Sequence, residues 1–230
     1  MPVDRPLVAA AAVGVAVGGC VGLALYLRKR SFFARRAPES EDAQRDLVAA
    51  AYSATAKGEQ TCCVSVKKGE AMGYSAADRA LSKAAGSDLG LGCGNPVELA
   101  DLKEGEVVVD LGCGAGIDCL LAAARIGDRG RAIGVDMVPE MLKRAKAAAA
   151  KVGLQGVCDF RLGEIEHLPV GDGVADAVLS NCVLNLCQAK LQVLREACRV
   201  LRPGGRLAFS DVIATQAMPE RLKNEAALAC

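Results

Sequence analysis

Val107-Val108-Val109-Asp110-Leu111-Gly112-Cys113-Gly114-Ala115-Gly116 joins an apolar, β-branched run to an acid and then to a loop with glycine at every second position. A short apolar run bounded by turn signals reads as a buried parallel strand. The loop after it reads as a tight turn into a helix. Glycine at 112, 114 and 116 permits dihedrals that a Cβ forbids and lets a ligand come close to the backbone. Free N–H groups at the helix start complete a cradle for a nucleotide-type cofactor.

The spacing selects among such cofactors. A dinucleotide fingerprint is G-x-G-x-x-G, with a pyrophosphate seated on the helix N-terminus. Here position 117 is Ile and the pattern is D-x-G-x-G-x-G. Asp110 at the strand tip would repel a pyrophosphate, whereas it attracts the ammonium of an amino-acid moiety. The pattern therefore points to S-adenosylmethionine rather than a nicotinamide dinucleotide. A second acid-tipped strand, Arg131-Ala132-Ile133-Gly134-Val135-Asp136-Met137, supports this, because the Asp136 carboxylate can accept both ribose hydroxyls.

The chain has 230 residues, 52% hydrophobic content and a net charge of +1, which suits one domain of ordinary size and carries no nucleic-acid signature. With 3% aromatic residues and no Trp, stacking surfaces for bases are lacking too. Leu7 to Leu27 contains no charge, and as a helix it would be about 31 Å long, enough to cross a hydrocarbon core of about 30 Å. Arg28, Lys29, Arg30, Arg35 and Arg36 follow it, so residues 1–30 read as a single-pass anchor with the rest on the cytosolic side or its matrix or stromal equivalent. A cleaved targeting segment on an organelle-directed soluble protein is the alternative. Residues 31–46 read as a charged linker, and residues 47–230 as the folded domain.

Eleven cysteines, at 20, 62, 63, 93, 113, 119, 158, 182, 187, 198 and 230, are scattered without a disulfide framework or a C-x-x-C pair. Cys119, Cys158 and Cys198 lie in apolar segments, where a thiol packs as a small hydrophobe. Downstream, apolar runs alternate with helical patterns. Strands are expected at 107–111, 132–135, 157–161, 175–180 and 206–212, with helices at 118–126, 139–152 and 189–201. A further helix is expected over 218–230. Such a series implies an α/β fold, a doubly wound parallel sheet of Rossmann-like type that binds ligands at the carboxyl ends of its strands.

After the third strand, Gly163-Glu164-Ile165-Glu166 offers a polar contact for an adenine edge, with Ile165 over its face, or else is an exposed acidic turn. His167, the single histidine, lies in a loop beside Leu168-Pro169 with no partner for acid–base work. The chain shows no general acid–base constellation.

These strands, with Leu201-Arg202-Pro203-Gly204-Gly205-Arg206-Leu207, resemble the class I S-adenosylmethionine-dependent methyltransferases. Three further segments, Asp88-Leu89-Gly90-Leu91-Gly92-Cys93-Gly94-Asn95-Pro96, Leu162 to Pro169, and Ser180-Asn181-Cys182-Val183-Leu184-Asn185-Leu186, narrow the likeness to the arsenite methyltransferase family, from about Tyr52 onward. Cys182 within S-N-C-V-x-N-L is its most specific part.

The resemblance implies that thiolates hold trivalent arsenic, and it carries that role to Cys93 and Cys182, with Cys62 or Cys63 upstream and Cys230 downstream. It also implies an S-adenosylmethionine site at Asp110, Gly112, Gly114, Gly116, Asp136, Met137, Glu164, Ile165 and Asn181. Arsenite and a thiol reductant of glutathione or thioredoxin type would be the co-substrates. The chemistry suits the residues, since soft arsenic(III) prefers thiolate sulfur and methyl transfer to its lone pair needs no base. On the residues alone, Cys93 is also readable as a small residue in a tight turn, and Cys113 should face the fold. Family members continue past the fifth strand, so the domain reads as truncated with an exposed sheet edge. The alternatives are a methyltransferase of a lipid, quinone or sterol, and a non-catalytic domain that binds arsenite or the cofactor.

Overall fold

A computed structural model describes residues 9–15, 41–59, 72–213 and 216. The expected helix at 218–230 and the cysteines at 20, 62, 63 and 230 lie outside these residues. The described elements are β1 (Ala9–Val15), α1 (Glu41–Lys57), α2 (Ala76–Ala85), α3 (Pro96–Leu99), β2 (Val107–Leu111), α4 (Ile117–Ile126), β3 (Arg131–Asp136), α5 (Pro139–Lys151), β4 (Cys158–Leu162), β5 (Ala175–Asn181), a 3₁₀ turn (Leu184–Leu186), α6 (Lys190–Val200) and β6 (Leu201–Ile213).

The six strands form one sheet in the order β1-β6-β5-β2-β3-β4. β4, β3, β2, β5 and β6 are parallel, which is the expected doubly wound series. The strand order reverses beside β2, and the glycine loop leaves the carboxyl end of that strand, so the cradle sits at the switch point where such sheets take ligands.

Alternation along β2 splits the core into two layers. Val108 packs on one face with Leu121, Ile126 and Leu179, while Val109 and Leu111 pack on the other with Val135, Val178, Val193 and Val200. Both faces are covered, as a parallel sheet requires. α4 is nearly all buried, with Leu120, Leu121 and Ile126 at 1% exposure or less. α5 begins at Pro139, whose fixed φ suits a first helical position. α2 is stopped on its upstream side by a capping box, in which Ser75 Oγ accepts from Asp78 N–H and Asp78 accepts from Ser75 N–H.

Four expectations are corrected. The apolar run at 7–27 was expected to be a membrane-spanning helix, but Ala9–Val15 is a strand, paired antiparallel to β6 from Ala9↔Ile213 to Val15↔Leu207. Its small and β-branched residues serve a strand as well as a helix, and the outer edge of β6 offers the backbone partners that decide between them. Residues 16–27 lie outside the described part, and among the described residues no helix is long and apolar enough to cross a membrane. The same pairing covers the sheet edge that was expected to be open. α1 starts at Glu41, within the stretch read as linker, so ordered structure begins ahead of residue 47. Last, the fifth parallel strand runs from Leu201 through Pro203-Gly204-Gly205, with a register shift opposite Ala175 and Ala177 that absorbs the irregular residues.

Candidate active site

The loop from Gly112 to Gly116 is left-handed at each of its three glycines, with φ of 64°, 51° and 87°. Their roles differ. A Cβ on Gly114 would meet nothing within 4 Å, so the backbone is open to a ligand there. A Cβ on Gly116 would come within 3.0 Å of Ala145 and 3.2 Å of Phe160. Gly116 therefore serves the close packing of α4 against α5 and β4, and it is not among the residues that wall the cavity. Gly112 is confined by Val183, whose Cγ2 would lie 2.5 Å from a Cβ.

The cavity opens above this loop. Asp110, Gly112, Gly114, Asp136, Met137, Ile165 and Asn181 all line the cavity. Asp136 is fixed through both oxygens: Gly114 N–H donates to Oδ2 and Val138 N–H to Oδ1, each at 2.8 Å. One acid thus sets the loop geometry while also lining the cavity. Asp110 is 2% exposed and, among the described residues, its Oδ2 has no hydrogen-bond partner. Burial, and then the nearby Asp118 and Asp136 carboxylates, push its pKa well above the ordinary carboxylate range. A cationic ligand group would relieve that cost.

Glu164 is placed differently from expectation. Its carboxylate lies 3.5 Å from the Arg45 guanidinium on α1, and the next acid, Glu166, walls the cavity instead. Ile165 is buried and lines the cavity. α1 roofs this side, because Gln44 donates to Leu186 O at 3.0 Å and accepts from Gln188 at 2.6 Å. Gln44, Arg45, Val48 and Tyr52 reach the cavity from that helix. Sequence reading missed them because the charged, Pro-containing composition before residue 47 masked the helix start.

Cys182 walls the cavity, whereas Cys93 is not among its lining residues, although its neighbour Gly92 is. The two thiols hydrogen-bond to each other, and Ser210 Oγ lies 3.6 Å from Cys93 Sγ. Cys182 hydrogen bonding, partly opposed by burial and assisted by Ser210, makes the Cys93 thiol more acidic than usual. Cys182 itself has φ of +58°, a strained value for a residue with a side chain. Cys62 and Cys230 are outside the described residues, and among the described residues no three His, Cys, Asp or Glu side chains converge to hold an ion. Cys113, expected to face the fold, is buried but also lines the cavity. Cys119 hydrogen-bonds it and works to lower its pKa, but burial and the Asp136 charge prevail and carry it to about 11.

A polar cluster under the Cys93 loop escaped the sequence. Asn181 Oδ1 accepts from Cys93 N–H at 3.0 Å, while Asn181 Nδ2 reaches Asp118 Oδ2 at 2.8 Å and both Gly94 O and Tyr74 Oη at 3.0 Å. Tyr74 in turn donates to Asp118 Oδ1 at 3.0 Å. Burial pushes Asp118 up to about 6, against the pull of its hydrogen bonds from Asn181 and Tyr74. Asn181, expected to touch the cofactor, thus also clamps the Cys93 loop onto the tip of β5. Asp118 was detectable as an acid in the first turn of a helix that leaves a glycine loop, but Tyr74 offered no signal.

Comparison with known proteins agrees with this architecture. A methyltransferase-domain profile matches residues 102–230. The arsenite methyltransferase of Halobacterium salinarum is 46% identical over 193 residues, 76% of this chain and 49% of that protein. The arsenite methyltransferase of Aquipseudomonas alcaligenes is 42% identical over 144 residues, 60% of this chain and 41% of that protein. The chain thus spans about half the length of the curated relatives it matches. The crystal structure of an arsenic(III) S-adenosylmethionine methyltransferase from Chlamydomonas reinhardtii superposes with a TM-score of 0.53 at 36% identity, over 65% of this chain and 56% of that one. By sheet order, glycine loop and profile match together, the chain belongs to the methyltransferase-domain family and carries the class I S-adenosylmethionine-dependent methyltransferase fold.

Proposed function

We propose that this chain methylates arsenite, passing a methyl group from S-adenosylmethionine to trivalent arsenic held by the thiolates of Cys93 and Cys182. The observation that carries the reading is the contact between these two thiols at the edge of the cofactor cavity. The relatives named arsenite methyltransferase support it.

The cavity suits the cofactor on its own terms. Asp110 Oδ2 is buried without a partner among the described residues and would take an ammonium, and the open face of Gly114 admits close approach to the backbone. Asp136 would take the ribose, with Met137 and Ile165 against the base. When bound, S-adenosylmethionine supplies an electrophilic methyl group on a sulfonium centre.

The chain's own residues do the rest. Arsenite exchanges hydroxyl groups for the Cys93 and Cys182 sulfurs with release of water, and the greater acidity of Cys93 favours the thiolate that this exchange needs. Two fixed sulfurs orient the pyramidal arsenic so that its lone pair faces the cavity. No proton leaves the nucleophile, so no base is required. Upstream and downstream thiols at Cys62 and Cys230 would add ligands, and an external thiol reductant would return arsenic and cysteines to their reduced forms.

Arsenite, glutathione and methyl-labelled S-adenosylmethionine incubated with the chain should give labelled methylarsenic species, and Cys182→Ser should abolish them. Label transfer undiminished by that substitution would overturn the assignment.

A further inference from the structure

Ser210 of β6 reaches both thiol arms at once. Its hydroxyl lies 3.6 Å from Cys93 Sγ, and its carbonyl accepts the Cys182 N–H at 2.8 Å. The residue is 1% exposed, so the hydroxyl has no bulk water to turn to. The chain makes room for it from the other side. A Cβ on Gly94, next to Cys93, would come 2.0 Å from Ser210 Oγ and 2.7 Å from its Cβ. Only glycine at 94 lets that hydroxyl stand beneath the Cys93 sulfur. The following residue extends the same support, since Asp211 accepts from Asn185 N–H at 3.1 Å in the loop that carries Cys182.

We propose that Ser210 is a positioning residue of the arsenic site, holding the Cys93 sulfur through its hydroxyl and the Cys182 backbone through its carbonyl so that the two sulfurs keep one spacing. The inference rests on the arsenite reading above. Chelation by two thiols depends on that spacing, because a sulfur free to rotate away must be reordered each time arsenic binds. The carbonyl contact survives any substitution at 210, whereas the hydroxyl contact can be removed alone. Ser210→Ala therefore isolates the Cys93 half of the arrangement. Gly94→Ala attacks the same contact from the opposite side by displacing the hydroxyl.

The test is calorimetric titration of the reduced chain with arsenite, and separately with S-adenosylmethionine. Ser210→Ala should weaken arsenite binding roughly fivefold, the worth of one neutral hydrogen bond, and leave cofactor affinity unchanged. Gly94→Ala should weaken arsenite binding at least as much. In a Cys93→Ser background, Ser210→Ala should have no further effect on the residual arsenite affinity, because its action runs through Cys93. A general structural role for Ser210 would instead lower cofactor affinity as well, or lower arsenite affinity equally with and without Cys93, and either result overturns the proposal. Arsenite affinity unchanged in Ser210→Ala overturns it too while leaving the function standing. A chain that binds no arsenite at all overturns the function and this inference together.

Discussion

Asn181 and Cys93 are 88 positions apart, yet the Cys93 N–H donates to Asn181 Oδ1 at 3.0 Å. That bond fixes the Cys93 loop to the tip of β5, one residue before Cys182, so the two thiol arms share a mount. The amide nitrogen on the other side of Asn181 meets Asp118 Oδ2 at 2.8 Å and Gly94 O at 3.0 Å. Replacing this residue by an apolar one of similar size strands a backbone N–H, a carbonyl and a buried carboxylate oxygen. Asn181→Leu should cost about 1–3 kcal/mol, each stranded group counting more than the bond it lost. Thermal denaturation should fall by several degrees, and arsenite affinity by more than tenfold. A variant that keeps wild-type arsenite affinity would show that the clamp is not needed.

The glycine loop separates ligand space from packing space. At Gly114 a methyl group has no protein neighbour within 4 Å, so Gly114→Ala adds only the backbone cost of a φ of +51°, about 1 kcal/mol. Cofactor affinity should nevertheless drop tenfold or more, because the methyl enters the cavity. At Gly112 the same methyl would meet Val183 Cγ2 at 2.5 Å and press on the residue after Cys182. Gly112→Ala should lose stability and arsenite binding together. Titration of both variants with S-adenosylmethionine decides it, and unaltered affinity in Gly114→Ala would remove that glycine from the cofactor site.

Asp118 gives a pH signature. Its pKa is about 6 in the fold against an ordinary 3.8, so between those values the folded chain holds the proton more tightly than the unfolded one. A group with more protons bound in the folded state makes stability fall as pH rises. Protonated Asp118 is compatible with the fold below about pH 4, and its ionisation costs stability progressively up to about pH 6. Asp118→Asn removes that cost. Relative to wild type, the variant should gain about 3 kcal/mol between pH 4 and pH 7, and the difference should be flat above that. Urea unfolding of both proteins at several pH values measures it; a difference that does not grow with pH would place the ionisation elsewhere.

Most of the sheet was legible because its strands are continuous apolar runs closed by acids or glycine, a pattern that local chemistry fixes. Asp110 and Asp136 could be placed at strand ends from spacing alone, and Cys182 and Asn181 came from the family resemblance. The contacts that mount the thiols were not legible. Tyr74, Asp118, Asn181 and Ser210 come together only through tertiary packing, and each has an ordinary local explanation as a loop residue, a helix-turn acid, a strand end or a strand interior. Glu164 and Glu166 illustrate the same limit at one-residue resolution, since the turn after β4 decides which acid faces the cavity. At Ala9–Val15, composition alone allowed two secondary structures, and the partner at the edge of β6 selected one.

Cys182 combines a thiol with a backbone that favours glycine. Its φ is +58°, a region that costs a residue with a Cβ about 1–2 kcal/mol. The surroundings enforce it. Cys182 N–H is bound to Ser210 O at 2.8 Å, and the Asn185 amide, with its nitrogen turned toward Asp211, donates to Asp211 Oδ1 at 2.9 Å and to Cys182 O at 3.1 Å. On the arsenite reading, this strain falls on a residue whose side chain would hold the substrate. Cys182→Gly should therefore stabilise the chain by about 1 kcal/mol, raising its denaturation temperature by roughly 2–4 °C, while arsenite binding collapses. Cys182→Ala should lose arsenite binding equally with no gain in stability, because it keeps the Cβ. Comparing the melting curves of the two variants isolates the backbone contribution. A Gly variant no more stable than the Ala variant would mean that the left-handed turn carries no strain, and that the loop geometry alone does not account for a cysteine at its apex.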